Sequence, residues 1–134
     1  MKININSLNG LSLAFLGDAV DELKIRRYLI LKGTTNVNLL QNKSKEFLSA
    51  KAHAKFFKLM QKENVLNNSE LNIYKKGRNS HPHTKAKNTN VISYQISTGL
   101  EALLGYLYLS KKEKRLNEIV KWMIKKVEDG ETRQ

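Results

Sequence analysis

The sequence holds no cysteine, one proline, and only 12 acidic residues against 24 basic ones. Each shortage excludes something. Without cysteine there is no disulfide framework, no thiolate nucleophile and no cysteine-bound zinc, and a cytoplasmic setting is favoured. A single proline and few alternating β-branched runs point to an all-α chain. No apolar run approaches the roughly 18 residues of a membrane span. The opening "MKININSLNG" lacks the long apolar region of a signal peptide. The missing acid leaves a net charge of +12, which attracts polyanions and nucleic acid above all.

What is present suits one domain, 1–134, with a real core: 40% of the residues are hydrophobic. A first helix is expected from an Asn9 cap to Gly33. Its apolar residues form two stripes, one through Leu13, Leu16, Val20, Leu23 and Ile30, the other through Leu11, Phe15, Ile25 and Leu29. A helix apolar on two sides is central, or it faces the core on one side and a partner on the other. The second stripe is therefore the expected dimer contact, with Phe15 and Leu29 at or near it.

One long helix is expected over 34–64, apolar at Leu40, Phe47, Leu48, Ala54 and Leu59. Lys43, Lys45, Lys51, Lys55, Lys58 and Lys62 lie on its outer face. A short helix capped by Ser69 should stop at Gly77, and the loop "SHPHTKAK" follows, broken by Pro82. A helix from about Thr89 to Leu109 and an amphipathic one from about Lys111 to Gly130 complete the chain.

Two carboxylates sit where a helix is otherwise apolar. Asp18 lies within "LNGLSLAFLGDAVDEL" and Glu101 within "STGLEALLGYLYL". Gly17 beside Asp18, and Ser97, Thr98 and Gly105 around Glu101, would let the two helices approach closely. If they cross there, the carboxylates must share a proton or a divalent cation, and oxygen-only ligands favour Mg²⁺ or Mn²⁺. Pairing of each with one of the many lysines fits the periodicity equally well. Glu22 stands one turn after Asp18 and in ion-pair reach of Arg26. His81 and His83 read as loop residues near phosphate rather than as a metal pair. From Leu71 to Leu100 there is no acidic residue, and Lys75, Lys76, Arg78, Lys85 and Lys87, with Asn79 and Asn88, form a basic segment suited to RNA phosphates and 2′-hydroxyls.

"LSLAFLGDAVDEL" resembles the signature helix of the ribonuclease III family, and "STGLEALLGYLYL" is similar to that family's second catalytic segment. "YKKGRNSHPHTKAKN" between them resembles the basic loop of its small Mini-ribonuclease III subfamily, and the match runs from about Leu8 to Val127. The resemblance implies an all-helical homodimer that cleaves double-stranded RNA with Mg²⁺, Mn²⁺ substituting, and leaves 5′-phosphate and 3′-hydroxyl ends. It makes Asp18 and Glu101 the catalytic metal ligands and precursor ribosomal RNA the substrate, with a ribosomal-protein helper as a candidate partner. The separate double-stranded-RNA-binding domain of ordinary members is expected to be missing. Two departures from them stand out: Ala14 and Thr98 occupy positions where they carry carboxylates. Both match the Mini subfamily, and they imply a thinner metal shell completed by water. They also keep open a non-catalytic RNA-binding or ribosome-assembly factor on the same fold. A DNA-binding protein is a third class, but no helix presents a compact Arg and Asn reading surface.

Overall fold

Asparagine and serine side chains decide where most of the helices begin. The computed structural model describes residues 3–80 and 89–133. In it, α1 (Gly10–Leu31), α2 (Val37–Leu48), α3 (Ala50–Glu63) and α4 (Asn68–Arg78) start behind Asn9, Asn36, Ser49 and Asn67. Each of these side chains accepts the N–H three residues ahead, at 2.8–3.0 Å. A cap of this kind contributes about 1 kcal/mol. Helices α5 (Thr89–Leu109) and α6 (Glu113–Glu128) follow, with no strand among the described residues. The expected all-α class is what the chain adopts.

Three local expectations are corrected. The long helix over 34–64 is two helices, because Ser49 is extended (ψ 154°) and its hydroxyl caps α3 as α2 ends. Asn67, not Ser69, caps α4; its side chain accepts from Glu70 N–H while the Glu70 carboxylate accepts from Asn67 N–H. Gly77 does not stop α4, which runs on to Arg78. Its missing side chain serves packing instead: a Cβ there would lie 2.6 Å from the Ala102 side chain and 2.9 Å from the Thr98 carbonyl. The histidine- and proline-containing loop lies outside the described residues, with His81, His83, Lys85, Lys87 and Asn88.

Helix α5 is the central element, packed against α1, α3, α4 and α6. Its Leu100, Leu103, Leu104 and Leu107 are buried with Phe56 and Met60 of α3, Tyr74 of α4, and Leu116, Ile119 and Met123 of α6. Full burial of such a side chain contributes about 1.5–3 kcal/mol, so this row dominates the fold's stability.

The two stripes of α1 are also redistributed. Ile25 and Leu29 are in the chain's own core, Leu29 at 3% exposure, because α2 and α6 cover the C-terminal half of α1. Leu29 is therefore no candidate for a partner contact. The apolar residues of α1 left outside are Leu11, Phe15, Leu23, Ile30 and Leu31, with Phe15 at 84%.

Candidate active site

The site forms where α1 and α5 touch backbone to backbone. A Cβ at Gly17 would stand 1.6 Å from the Glu101 carbonyl oxygen, and one at Gly105 would stand 2.0 Å from that of Leu13. Only glycine permits this approach. The contacts also define the register. Leu13 faces Gly105 and Gly17 faces Glu101, so the helices run antiparallel in four-residue steps.

That crossing brings Asp18 and Glu101 within hydrogen-bonding reach of each other. Asp18 is exposed and Glu101 half-buried, so the pair opens to solvent on the Asp18 side. Burial pushes the Glu101 carboxyl up to about 8, helped by its hydrogen bond to Asp18 and by the charges of Asp18, Asp21 and Glu22. Without a cation, this shift favours a proton on Glu101 at neutral pH. The acid in an otherwise apolar helix is thus accounted for locally: Asp18 projects into water from beside the crossing. Neither carboxylate has a lysine or arginine ion pair among the described residues.

The two departures from the ordinary family pattern have structural counterparts. Ala14 is buried with Leu13 and Ala102 at the crossing. Thr98 is buried too, and its hydroxyl donates to the Tyr94 carbonyl at 3.0 Å. Glu22 is paired with Arg26 at 3.1 Å. Among the described residues no three His, Cys, Asp or Glu side chains converge to hold a metal. Two carboxylate donors with the remaining positions left to water or phosphate are what Mg²⁺ accepts, since it keeps much of its hydration shell. The donor set fits such an ion.

The described part of the basic segment lies at the end of α4. Lys75 and Asn79 are exposed. Lys76 reaches the Asn6 carbonyl at 3.3 Å, and Arg78 sits 5.7 Å from the Tyr74 ring centre while donating to Asn79. Gly77 seats this end of α4 against Thr98 and Ala102, on the turns of α5 that carry Glu101. The basic end of α4 and the carboxylate pair therefore share one stretch of α5.

Sequence reasoning missed one constellation. Asp21 and His53 are each 1% exposed, and His53 Nε2 lies 2.9 Å from Asp21 Oδ2 while Nδ1 lies 2.6 Å from Ser97 Oγ. The available signals were Asp21 one turn after Asp18, and a histidine amid the apolar face of α3 made by Ala52, Phe56 and Phe57. Ser97 had been read only as a small residue allowing close approach.

Comparison with known proteins agrees with this geometry. The Ribonuclease III domain family matches residues 11–112. Mini-ribonuclease 3 of Streptococcus pneumoniae is 50% identical over 126 residues, spanning 94% of this chain and 98% of that protein. Mini-ribonuclease 3 of Enterococcus faecalis is 45% identical, spanning 95% of each. A crystal structure of a Fusobacterium nucleatum protein superposes with a TM-score of 0.78 at 35% identity, covering 92% of this chain and 99% of that one. With its carboxylate pair at the glycine crossing, the chain belongs to the ribonuclease III family of endoribonucleases.

Proposed function

We propose that this chain is a Mg²⁺-dependent endoribonuclease of double-stranded RNA that matures ribosomal RNA precursors, with Asp18 and Glu101 as its catalytic metal ligands. The observation that carries this reading is the carboxylate pair itself. Two acids pressed together at a tight crossing, with no cation of the described residues paired to either, are unfavourable unless a proton or a metal joins them. Mg²⁺ bound there supplies charge neutralisation at the scissile phosphate and a more acidic water.

The chain's own residues have separate tasks in this reading. Asp18, open to solvent, offers its carboxylate to the incoming ion. Glu101 would hold the ion as a deprotonated carboxylate, and its partial burial limits competing water. Lys75, Lys76, Arg78 and Asn79, with Lys85, Lys87 and Asn88 of the following segment, hold phosphates and 2′-hydroxyls of the duplex. Hydrolysis in which water attacks phosphorus and the 3′ oxygen leaves produces 5′-phosphate and 3′-hydroxyl ends. The reading places the activity in a single domain, 1–134, acting in the cytoplasm; no described helix is long and apolar enough to cross a membrane. Mn²⁺ is expected to substitute for Mg²⁺, and a ribosomal protein remains a candidate helper.

A homodimer is part of the same reading. The uncovered stripe of Leu11, Phe15, Leu23 and Ile30 on α1 supports it, and a two-fold contact would present two sites to the two strands. Phe15→Lys would set charge against charge across that contact and should shift the protein to monomer in sedimentation. The direct test is to incubate the protein with precursor ribosomal RNA and with a perfect RNA duplex, with and without Mg²⁺, and map the ends. Mg²⁺-dependent cuts in both strands with the stated ends are expected. Binding without cleavage would return the assembly-factor reading. RNA affinity should fall steeply with salt, and replacing Lys76, Arg78 and Lys85 together should flatten that slope.

A further inference from the structure

The register of the α1–α5 crossing has a third rung. After Leu13 opposite Gly105 and Gly17 opposite Glu101, the next turn sets Asp21 opposite Ser97. The two side chains are joined through His53 of α3, at 2.9 and 2.6 Å. All three are buried, so this Ser–His–Asp arrangement cannot reach a substrate as a hydrolytic triad would. It is also incomplete as a structural clamp: Asp21 Oδ1 is buried without a hydrogen-bond partner. A carboxylate oxygen left this way is costly unless something nearby benefits from its charge.

We propose that Asp21, held between α1 and α5 by the His53–Ser97 relay, is the third negative charge of the cation site, a positioning residue that does not touch the metal but strengthens its binding at Asp18 and Glu101. The inference rests on the metal-dependent reading above. Asp21 stands one turn from Asp18 on α1, and Ser97 one turn from Glu101 on α5, so the relay lies directly beside the pair. Its charge is felt at Glu101, where it adds to that of Asp18. The relay also ties α3 to both helices at this level, which keeps the buried charge in place.

The test is Mn²⁺ binding to the full chain without RNA, read by the electron paramagnetic resonance of free Mn²⁺, with melting of the metal-free protein measured on the same samples. Asp21→Asn should weaken Mn²⁺ about tenfold, the low end of what altered outer-shell partners cost, while melting of the metal-free protein stays cooperative. His53→Gln, which keeps a donor for Asp21, should retain most of the affinity. Unchanged affinity in Asp21→Asn would overturn the inference and leave the relay as packing alone. Asp18→Asn is the control: if it binds Mn²⁺ as the wild type does, the metal reading itself fails. Should Asp21→Asn not fold, the Mn²⁺-loaded wild-type structure decides. A metal bound directly by Asp21, or held away from Asp18 and Glu101, would overturn the proposal, and one on Asp18 and Glu101 with Asp21 still on His53 supports it.

Discussion

Glu70 on α4 and Glu101 on α5 are both drawn out of bulk water, and their surroundings drive them in opposite directions. Burial alone would raise the Glu70 carboxyl. Two bonds from Arg115, the Asn67 N–H and the nearby Lys112 charge instead hold it below the ordinary carboxylate value. Glu101 is also raised by burial, but it meets Asp18 where Glu70 meets Arg115, and it rises to about 8. Glu70 is an acid whose neighbours are complete within the chain: it closes the α4 cap and ties α6 to α4 through Arg115. Glu101 is an acid whose neighbours are incomplete. On the proposed function, the difference separates a residue that holds the fold from one that an external cation would complete.

The sharpest way to break the comparison is to neutralise each member of the incomplete pair. Asp18→Asn or Glu101→Gln should reduce duplex cleavage by a factor on the order of 10³ or more, while circular dichroism and melting show an intact fold. Cleavage near the wild-type rate would remove these residues from the mechanism. Next in size, Gly17→Ala forces a methyl into the Glu101 carbonyl and should cost about 3 kcal/mol in chemical denaturation, with activity lost as the helices separate.

Glu70→Ala should show the opposite profile. It removes half of the α4 cap and leaves Arg115 without its buried partner, lowering stability by about 2–3 kcal/mol while specific activity of the folded fraction is retained. Equal losses of stability in Glu70→Ala and Glu101→Gln would erase the distinction between the two acids.

The last expected effect is a difference in pH dependence, spread over several pH units. Between about 4.5 and 8 the folded, metal-free chain keeps a proton on Glu101 that the unfolded chain has released, so stability from this group falls as pH rises across that window. Glu70 has the reverse sign: its contribution is present above the unfolded value and is lost as pH falls through its lowered one. Urea titrations from pH 4 to 9 should show the neutral-side decline disappear in Glu101→Gln and persist in Glu70→Ala. Mg²⁺ binding should likewise release a proton below pH 8.

Much of the fold was legible because its signals are local. An asparagine ahead of an apolar-periodic run marks the start of α1, and Gly33, at φ 118°, marks its end. The adjacency of Asp18 and Glu101 was only half legible. Small residues around each acid allowed a close crossing, but a lysine partner satisfied the same periodicity. The three-dimensional register at Gly17 and Gly105 chose between them.

The sequence by itself determined the helical class and the basic character of the chain, and it set two acids apart in otherwise apolar helices, since these follow from composition, capping and short-range spacing. Only the tertiary structure decided which apolar residues of each α1 stripe stay outside, that Gly77 is a contact rather than a stop, and that Asp21 and His53 meet. Leu29 and Phe15 share a stripe on paper, yet α2 and α6 cover one and leave the other exposed. His53 lies 32 residues from Asp21 and 44 from Ser97. Periodicity describes one helix at a time, and a bond joining three helices depends on how they cross.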